Sequence, residues 1–348
     1  MKNSKVKNQY SLFLLFVLLF FFSIYFFDFN TEIDSLYFRV ISSQLIIPKK
    51  PFKKSVTLIF VGDIMFDRGI EHIILKEGKG DYKFPFLKIA DYLKEAEILF
   101  GNFEGPISDK GRKVGSIYSF RSNPETINGL VFAGFDVLSM ANNHIFDYGR
   151  EAMEDTFLRL KKAGIDYVGA GFNEKEAYSP IIKEINGSTN LPQDNTKIAF
   201  LAYTNLGSEY WKATDERSGI SWLEKERMIE EIKKAKNLAD IVIVSFHYGE
   251  EYFLEPTSFQ ISISQTAIDA GVDLVVGHHP HVIQPIKKYK SRYIAYSLGN
   301  FIFDQGFSEK TMKSLLLRVI IEDNEIKEVT PIEIKINKFF QPEIAKKL

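Results

Sequence analysis

The stretch SVTLIFVGD, residues 55–63, decides the fold of this chain. Its continuous apolar run is typical of a strand that lies in a sheet covered on both faces. The run ends on a carboxylate, Asp63. In open α/β sheets the carboxyl ends of the strands line the ligand crevice. This one stretch therefore predicts both a buried sheet and the edge at which its chemistry takes place.

Apolar strand-like runs alternate with amphipathic helix-like stretches after Asp63, which predicts a layered α/β fold with a largely buried sheet. The predicted strands are 98–101, 136–140, 198–203, 241–246 and 274–277, and the predicted helices are 85–95, 124–133, 149–163, 223–237 and 257–270. Beyond Asp304 the segment LLLRVIIEDNEIKEVTPIEIKI predicts an antiparallel hairpin that closes the same domain. Polar loops at 105–123 and 206–219 are long enough to form rims over a site.

The composition describes a globular protein and excludes several classes of function. At 348 residues and 45% hydrophobic content, the chain is long enough to bury a substantial core. Its 44 basic residues balance 45 acidic ones, so no overall field attracts nucleic acid, and an anionic substrate must be held locally. Cysteine is absent, which excludes disulfides and thiolate ligands, so a bound metal needs nitrogen and oxygen ligands.

An uncharged, apolar segment at 10–27 predicts one transmembrane helix. As a helix it would span about 27 Å, close to the thickness of the hydrocarbon core. The lysines before it predict a cytoplasmic tip at 1–9 and place the rest of the chain outside the cytoplasm. A cleaved signal peptide is the alternative, but no small-residue cleavage site follows. We expect a stalk at 28–54 and one domain at 55–340.

Side chains that bind metals or move protons follow five of the predicted buried strands. They are Asp63, Glu104, Asn143, His144, His247, His278, His279 and His281. Each has an ordinary alternative when taken alone: a helix cap, a solvated loop, a turn or a satisfied buried imidazole. Their coincidence at successive strand ends favours one shared site. Carboxylate, amide and imidazole ligands suit a divalent ion such as Mn²⁺, Fe²⁺ or Zn²⁺.

The polar strand ends fall within seven short sequence blocks. In chain order the blocks are GDIMFDRG, GNFEGPIS, MANNHIFDYG, VGAG, FHYGEEY, VGHHPHVIQP and YSLGNFIFDQ, within about residues 56–306. In this order they resemble the calcineurin-like metallophosphoesterase superfamily and, more closely, its bacterial CapA-type poly-gamma-glutamate capsule biosynthesis proteins. The resemblance implies a four-layer α/β/β/α sandwich with two metal ions at the strand ends, preceded here by the single transmembrane helix.

The resemblance also implies a role for each strand-end residue. Asp63 and His281 would bind the first metal, and Glu104 would bridge the two ions. The ligands of the second metal would be Asn143, His247 and His279. His144 would be the general acid that assists the leaving group, a role that suits an imidazole because its pKa lies near neutral pH.

Further residues in or between these blocks are candidates for supporting roles. Arg68, Arg121 and Tyr248 are candidate contacts for an anionic substrate, and a structural salt bridge is the alternative for the two arginines. Asn300 and Asp304 follow a strand, where they would either orient a histidine from behind or stabilise a turn.

The chain departs from the superfamily pattern at three positions. Met65 stands where a histidine usually follows the first aspartate, so the first metal would lose a ligand unless Asp67, Asn102 or water replaces it. Glu104 stands where aspartate is usual and is one methylene longer. His278 falls where glycine is usual, so we expect it to lie behind the ligands rather than among them.

The resemblance implies a hydrolase or transferase that is anchored in the bacterial cell membrane and acts outside the cytoplasm. It would use a divalent metal in the biosynthesis or export of a capsule or envelope polymer such as poly-gamma-glutamate. The substrate would be an anionic polymer or a phosphoester, and integral-membrane synthase subunits are candidate partners. The alternative is a non-catalytic, metal-binding accessory subunit of a polymer synthase complex. The histidine set favours the enzyme, and Met65 favours the accessory subunit.

Overall fold

Two β-sheets packed face to face form the centre of the computed structural model, which describes residues 55–115, 117–186 and 195–345. The predicted cytoplasmic tip, transmembrane helix and stalk at 1–54 lie outside these residues. Across the three described ranges, no helix combines the length and apolar content needed to cross a membrane.

The elements follow one another in the predicted alternation. The strands are β1 Val56–Ile64, β2 Ile98–Phe103, β3 Val137–Ser139, β4 Asp166–Val168, β5 Ala170–Gly171, β6 Ile181–Ile185, β7 Thr196–Thr204, β8 Gly219–Ile220, β9 Ile241–His247, β10 Leu274–His278, β11 Ile286–Tyr289, β12 Arg292–Ala295, β13 Asn300–Ile302, β14 Lys313–Glu322, β15 Glu325–Ile336 and β16 Pro342–Ile344. The helices are α1 Arg68–Lys76, α2 Ala90–Leu93, α3 Thr126–Ala133, α4 Gly149–Ala163, α5 Glu174–Tyr178, α6 Lys225–Leu238 and α7 Ser258–Ala270, with 3₁₀ turns at Phe84–Phe86 and Glu209–Trp211.

Each sheet is parallel at its centre. The first sheet has the strand order β16-β15-β14-β1-β2-β3-β4, with β13 paired to the end of β1, and strands β1 to β4 run parallel. The second has the order β11-β12-β10-β9-β7-β6, in which β7, β9, β10 and β12 are parallel. Parallel strands end at the same edge, so the polar residues that follow them are brought together.

Apolar side chains fill three separate cores because the central strands are buried on both faces. In β1, Leu58 and Phe60 point between the two sheets, whereas Ile59 and Val61 point toward helices α1, α3 and α4. The inner core includes Phe100 and Phe200, whose rings stack at 5.6 Å between their centroids. A third core lies between the second sheet and helices α6 and α7. The layers therefore run helices, sheet, sheet, helices, and the predicted mixed α/β fold is confirmed.

Most predicted elements are present, with two corrections. The predicted hairpin exists as β14 and β15, joined at Asp323 and Asn324, which both have positive φ. The predicted helix at 85–95 is wrong: a 3₁₀ turn and the short α2 replace it, because Ile89 has φ −134° and interrupts helical geometry between them. The domain also extends past the predicted end at 340, since β16 pairs with β15.

Candidate metal centre

Strand register places the candidate ligands side by side. On the first sheet, Asp63 of β1 lies opposite Asn102 of β2 and Asn300 of β13. On the second sheet, His247 of β9 lies opposite His278 of β10. All of these residues are buried. The two sheets therefore present their polar strand ends toward one another.

Asp63 lies at the centre of this cluster. One carboxylate oxygen accepts a hydrogen bond of 2.9 Å from the Asn102 amide and lies 3.3 Å from Nδ1 of His278. The other accepts from the backbone N–H of His279 at 3.2 Å and lies 3.4 Å from Nδ1 of His281. Asp63 does not cap the helix that follows, because the side chain of Asp67 accepts from the first N–H of α1.

Several buried polar atoms of the cluster have no hydrogen-bond partner. They include Oε2 of Glu104 and Nδ1 of His279, although both residues are almost inaccessible to solvent. Leaving such groups unpaired in the interior costs about 1–3 kcal/mol each. Ligand atoms of Asp63, Glu104 and His247 lie within 4.8 Å of one another. A carboxylate and imidazole set with orphaned acceptors fits a divalent cation of borderline hardness.

The predicted histidine cluster forms a strained turn directly after β10. His279 and His281 both have positive φ, 96° and 57°, a backbone region in which residues other than glycine are uncommon. Nδ1 of His281 contacts Oδ1 of Asn300 at 2.9 Å. His278 stays within β10, fully buried behind Asp63. The turn directs His279 and His281 into the cluster and leaves His278 beneath it.

The two carboxyl groups at the centre have opposite protonation tendencies. Burial raises the pKa of Glu104 well above its usual range, and the charge of Asp63 adds to that rise. Burial also acts to raise the pKa of Asp63, but contacts with His278 and His281 hold it well below its usual range. Asp63 is therefore ionised at neutral pH, whereas the nearby charge of His281 offsets only part of the effect of burial on Glu104.

The buried imidazoles of the cluster also differ in the direction in which their pKa values are shifted. Burial lowers the pKa of His247, and together with the charge of His281 it lowers the pKa of His279 to about 3. Burial also disfavours the cation of His281, but the carboxylates of Glu104 and Asp63 raise its pKa to about 9. Neutral imidazoles at two positions keep the ring lone pairs that metal binding requires.

His144 lies at the mouth of the cluster and is held by Asp147. Its Nδ1 contacts a carboxylate oxygen of Asp147 at 2.8 Å, and the same oxygen accepts from the backbone N–H of Phe120 at 2.7 Å. The Phe120 ring packs on the imidazole with centroids 4.1 Å apart. With the Nδ1 proton directed to Asp147, Nε2 points toward Glu104, 3.8 Å away. This nitrogen is placed to carry a proton between the cluster and solvent.

A cleft of about 590 Å³ opens beside His144 and His281. Aromatic side chains line it, including Tyr118 and Phe120 from the predicted 105–123 rim, whereas no described residue of 206–219 does so. Arg68 also lines the cleft, pairs with Asp304 and packs its guanidinium 4.5 Å from the centre of the Phe120 ring. One predicted anion contact therefore borders the cleft, paired with a carboxylate.

Two predicted substrate contacts, Arg121 and Tyr248, do not line this cleft. Tyr248 is fully buried, its hydroxyl lies 2.9 Å from Oγ of Ser264, and its ring stacks on Phe246, so it cannot touch a substrate in the cleft. The guanidinium of Arg121 packs on the Tyr148 ring and donates to a backbone carbonyl. Residues that follow a strand still alternate between faces, and at Tyr248 the side chain turns to the core.

Asn143 and Asn102 hold His247 from its two sides. Oδ1 of Asn143 lies 2.7 Å from Nε2 of His247, and Nδ2 of Asn102 lies 3.2 Å from Nδ1. Asn102 thereby joins Asp63 to His247 across the gap between the sheets. Its position on β2, two residues before Glu104, is the sequence signal for this role.

Glu251 was absent from the predicted site, yet its carboxylate lies at the cleft. One of its oxygens and one ring nitrogen each of His279 and His281 lie within 4.8 Å of one another. Asp67 does not join the centre, because its two oxygens accept backbone hydrogen bonds from Arg68 and Arg121. Nothing in the sequence around Glu251 distinguishes it from the adjacent acid, and the chain folding alone brings it to the histidines.

The paired sheets and the carboxylate and imidazole cluster at their edge define an α/β protein with a candidate metal centre. The chain belongs to the bacterial capsule synthesis protein family PGA_cap, whose sequence profile matches residues 57–305. It is 37% identical over 292 residues to the capsule biosynthesis protein CapA of Bacillus anthracis, covering 81% of this chain and 68% of that protein. It is 36% identical over 283 residues to the PGA biosynthesis protein CapA of Bacillus subtilis strain 168, covering 79% of this chain and 70% of that protein. A crystal structure described as a novel phosphatase from Mycoplasma pneumoniae matches with a TM-score of 0.48 at 15% identity, over 81% of this chain and 94% of that one.

Proposed function

We propose that this protein is a metal-dependent hydrolase or transferase that acts on a capsule or envelope polymer of the poly-gamma-glutamate type, in its biosynthesis or export. The proposal includes the membrane anchor at 10–27, the extracytoplasmic location of the domain and integral-membrane synthase subunits as partners. The names of the two Bacillus relatives support the polymer class. The observation that carries the enzymatic part is the buried carboxylate of Glu104, whose Oε2 has no hydrogen bond, beside the Asp147-held imidazole of His144.

The centre would hold one or two divalent ions of manganese, iron or zinc. The candidate ligands are Asp63, Glu104, Asn143, His247, His279 and His281. A bound ion of this class acts as a Lewis acid toward a phosphoryl or acyl oxygen and lowers the pKa of bound water. The protein's contribution is to keep the ligand set dry and oriented, since the hydrogen bonds of Asn102 and Asn300 fix the carboxylate and imidazole groups from behind.

His144 would deliver the proton to the leaving group. Asp147 keeps the Nδ1 proton of His144 in place, so Nε2 is the nitrogen that exchanges a proton with the substrate. The Phe120 ring covers one face of the imidazole and restricts its rotation. A positioned general acid of this kind contributes about 10²–10⁴ to a rate.

The cleft would accept an anionic chain rather than a compact small molecule. Its aromatic lining offers flat apolar contact, and the Arg68 guanidinium lines its wall together with the carboxylates of Asp304 and Glu251. Because Asp304 already pairs with Arg68, that arginine is held in one orientation toward the cleft. An extended polymer with carboxylates at intervals can pack on the aromatic side chains and place a carboxylate at Arg68.

Activity assays on the full-length protein in detergent test this function. The substrates are a bis-aryl phosphate and a gamma-glutamyl polymer, and the variant is His144→Ala with His72→Ala, an exposed histidine on α1, as the matched control. We expect His144→Ala to lower turnover about 10²–10⁴-fold with unchanged metal content, and His72→Ala to behave as wild type. Equal turnover in wild type and His144→Ala would show that this histidine is not the acid.

The accessory subunit remains the second candidate, favoured by Met65. This side chain is fully buried in the core beneath the centre, and its sulfur accepts from the backbone N–H of Asp67, so it offers no ligand. The accessory function predicts bound metal without turnover on either substrate, and no effect of His144→Ala. The same assays therefore separate the two candidates.

A further inference from the structure

Glu251 stands apart from the other charged groups near the centre. It is exposed in the turn after β9, whereas the other candidate carboxylate and imidazole ligands are buried and Asn143 is half-buried. Its carboxylate oxygen nevertheless forms a three-residue group with ring nitrogens of His279 and His281, all within 4.8 Å. These distances are short enough for one cation to contact all three atoms after small side-chain movements.

The backbone ties Glu251 to both histidines. The N–H of the next residue, Tyr252, donates a hydrogen bond of 2.8 Å to the carbonyl of Pro280, which lies between His279 and His281. Tyr252 has φ +66°, so this turn is held in a conformation that a residue with a side chain rarely adopts. Strain of this kind persists only where the surrounding structure imposes it, and it clusters at functional sites.

A chain of side-chain hydrogen bonds also links Tyr252 to His281. The Gln305 amide donates to the Tyr252 hydroxyl at 3.1 Å and accepts from the Asn300 amide at 3.0 Å. The Asn300 amide also donates to the carbonyl of Thr311, so both of its hydrogens are used and its Oδ1 faces Nδ1 of His281. Nδ1 of His281 is thereby oriented toward Asn300, which leaves Nε2 as the nitrogen that a cation can contact.

A second observation points to a ligand at this position. Nδ1 of His279 is buried and has no protein partner, although its residue is held by a backbone hydrogen bond to Asp63. An exposed glutamate completes such a site at little cost in the metal-free protein, because water solvates its carboxylate until the cation arrives.

We propose that Glu251 is a metal ligand of this chain and that it completes, with His279 and His281, a three-residue site for a divalent cation. Tyr252 and Gln305 are positioning residues that hold this carboxylate and His281 at fixed separation. The inference rests on the metal-dependent centre of the proposed function. It adds a third carboxylate to Asp63 and Glu104, which brings the anionic charge closer to that of two divalent ions.

Calorimetric titration of Mn²⁺ into the full-length protein in detergent tests the proposal without relying on activity. The variants are Glu251→Gln and, as a matched control, Glu250→Gln, which changes the adjacent exposed carboxylate that belongs to neither ligand group. We expect Glu251→Gln to weaken Mn²⁺ binding at one site about tenfold or more, and Glu250→Gln to bind as wild type. The metal-free melting temperatures of all three proteins should coincide, because both glutamates are exposed.

The outcomes distinguish the ligand role of Glu251 from the metal-dependent function on which it rests. Wild-type affinity in Glu251→Gln overturns the ligand role of Glu251 and leaves the metal centre standing. Equal weakening in both variants shows a general charge effect and overturns the specific site. A wild-type protein that binds no Mn²⁺, Fe²⁺ or Zn²⁺ overturns the metal-dependent function itself, together with this inference.

Discussion

Replacing Glu104 with glutamine should change stability in opposite directions with and without metal. In the metal-free protein the carboxylate is buried, its Oε2 has no hydrogen-bond partner, and burial raises the pKa of the group. Glutamine keeps the shape of the side chain but cannot ionise, so Glu104→Gln avoids the cost of ionising a buried carboxyl group and should stabilise the metal-free fold by about 1–3 kcal/mol at neutral pH. For a domain of this size each kcal/mol corresponds to about 2–4 °C in melting temperature.

The pH dependence of this gain follows from the direction of the pKa shift. A carboxyl group whose folded pKa lies above its unfolded value destabilises the fold as pH rises from the unfolded pKa of about 4 through the folded pKa. The advantage of Glu104→Gln should therefore be absent below about pH 4 and grow as pH rises from there toward the folded pKa. Bound metal has the opposite effect. At a metal concentration of 100 times its Kd, the free energy of unfolding of the wild type rises by about 2.7 kcal/mol, and the variant should lose most of this increase.

Thermal unfolding of full-length protein in detergent, with and without Mn²⁺, measures both effects. Glu95→Gln, at an exposed site before β2, is the control and should leave both melting temperatures unchanged. The reasoning is refuted if Glu104→Gln lowers the metal-free melting temperature, or if Mn²⁺ raises that of the variant as much as that of the wild type.

Three further substitutions test separate parts of the structure. Asp147→Asn should lower kcat on the bis-aryl phosphate about 10²-fold or more at unchanged metal content, because the His144 imidazole loses the charged partner that orients it. A wild-type kcat would contradict this. Gly62→Ala would place its Cβ 1.8 Å from the carbonyl oxygen of Gly299 and should cost about 3 kcal/mol in chemical denaturation, whereas Gly306→Ala, with 3.5 Å of clearance, should be close to neutral. Asp155→Asn should cost about 1–3 kcal/mol at pH 7, because hydrogen bonds and cationic partners lower the pKa of Asp155 against the effect of burial. Since that folded pKa lies below the unfolded one, the stabilisation is present above about pH 4 and is lost as pH falls through the folded pKa, so the two unfolding curves should converge in acid.

The sequence was most informative where strands are buried on both faces. The apolar runs of β1, β9 and β10 have no competing interpretation, and each leads to its polar residue without a gap. Helix α4 was predicted with the observed bounds because glycines flank it and its apolar residues recur with helical spacing. The segment at 85–95 has similar spacing, but the backbone at Ile89 leaves the helical region, which the residue pattern does not reveal.

The site was harder to predict wherever a tertiary contact decides its membership. Tyr248 follows His247 directly, and only the packing of its hydroxyl against Ser264 shows that it faces the core. Glu251 approaches His281 because the two loops after β9 and β10 are joined through Tyr252, a contact that has no local sequence signal. Motif position identified the strand ends, but the loops between them supplied residues that spacing alone could not select.

Metal analysis of the full-length wild-type protein and of the variants His281→Ala and Glu104→Ala tests the central claim most directly. After dialysis against excess metal and then against buffer, mass spectrometry should find a transition metal in the wild type and much less of it in either variant. A wild-type protein without metal, or variants with the wild-type content, would contradict the assignment of these strand-end residues as a metal centre.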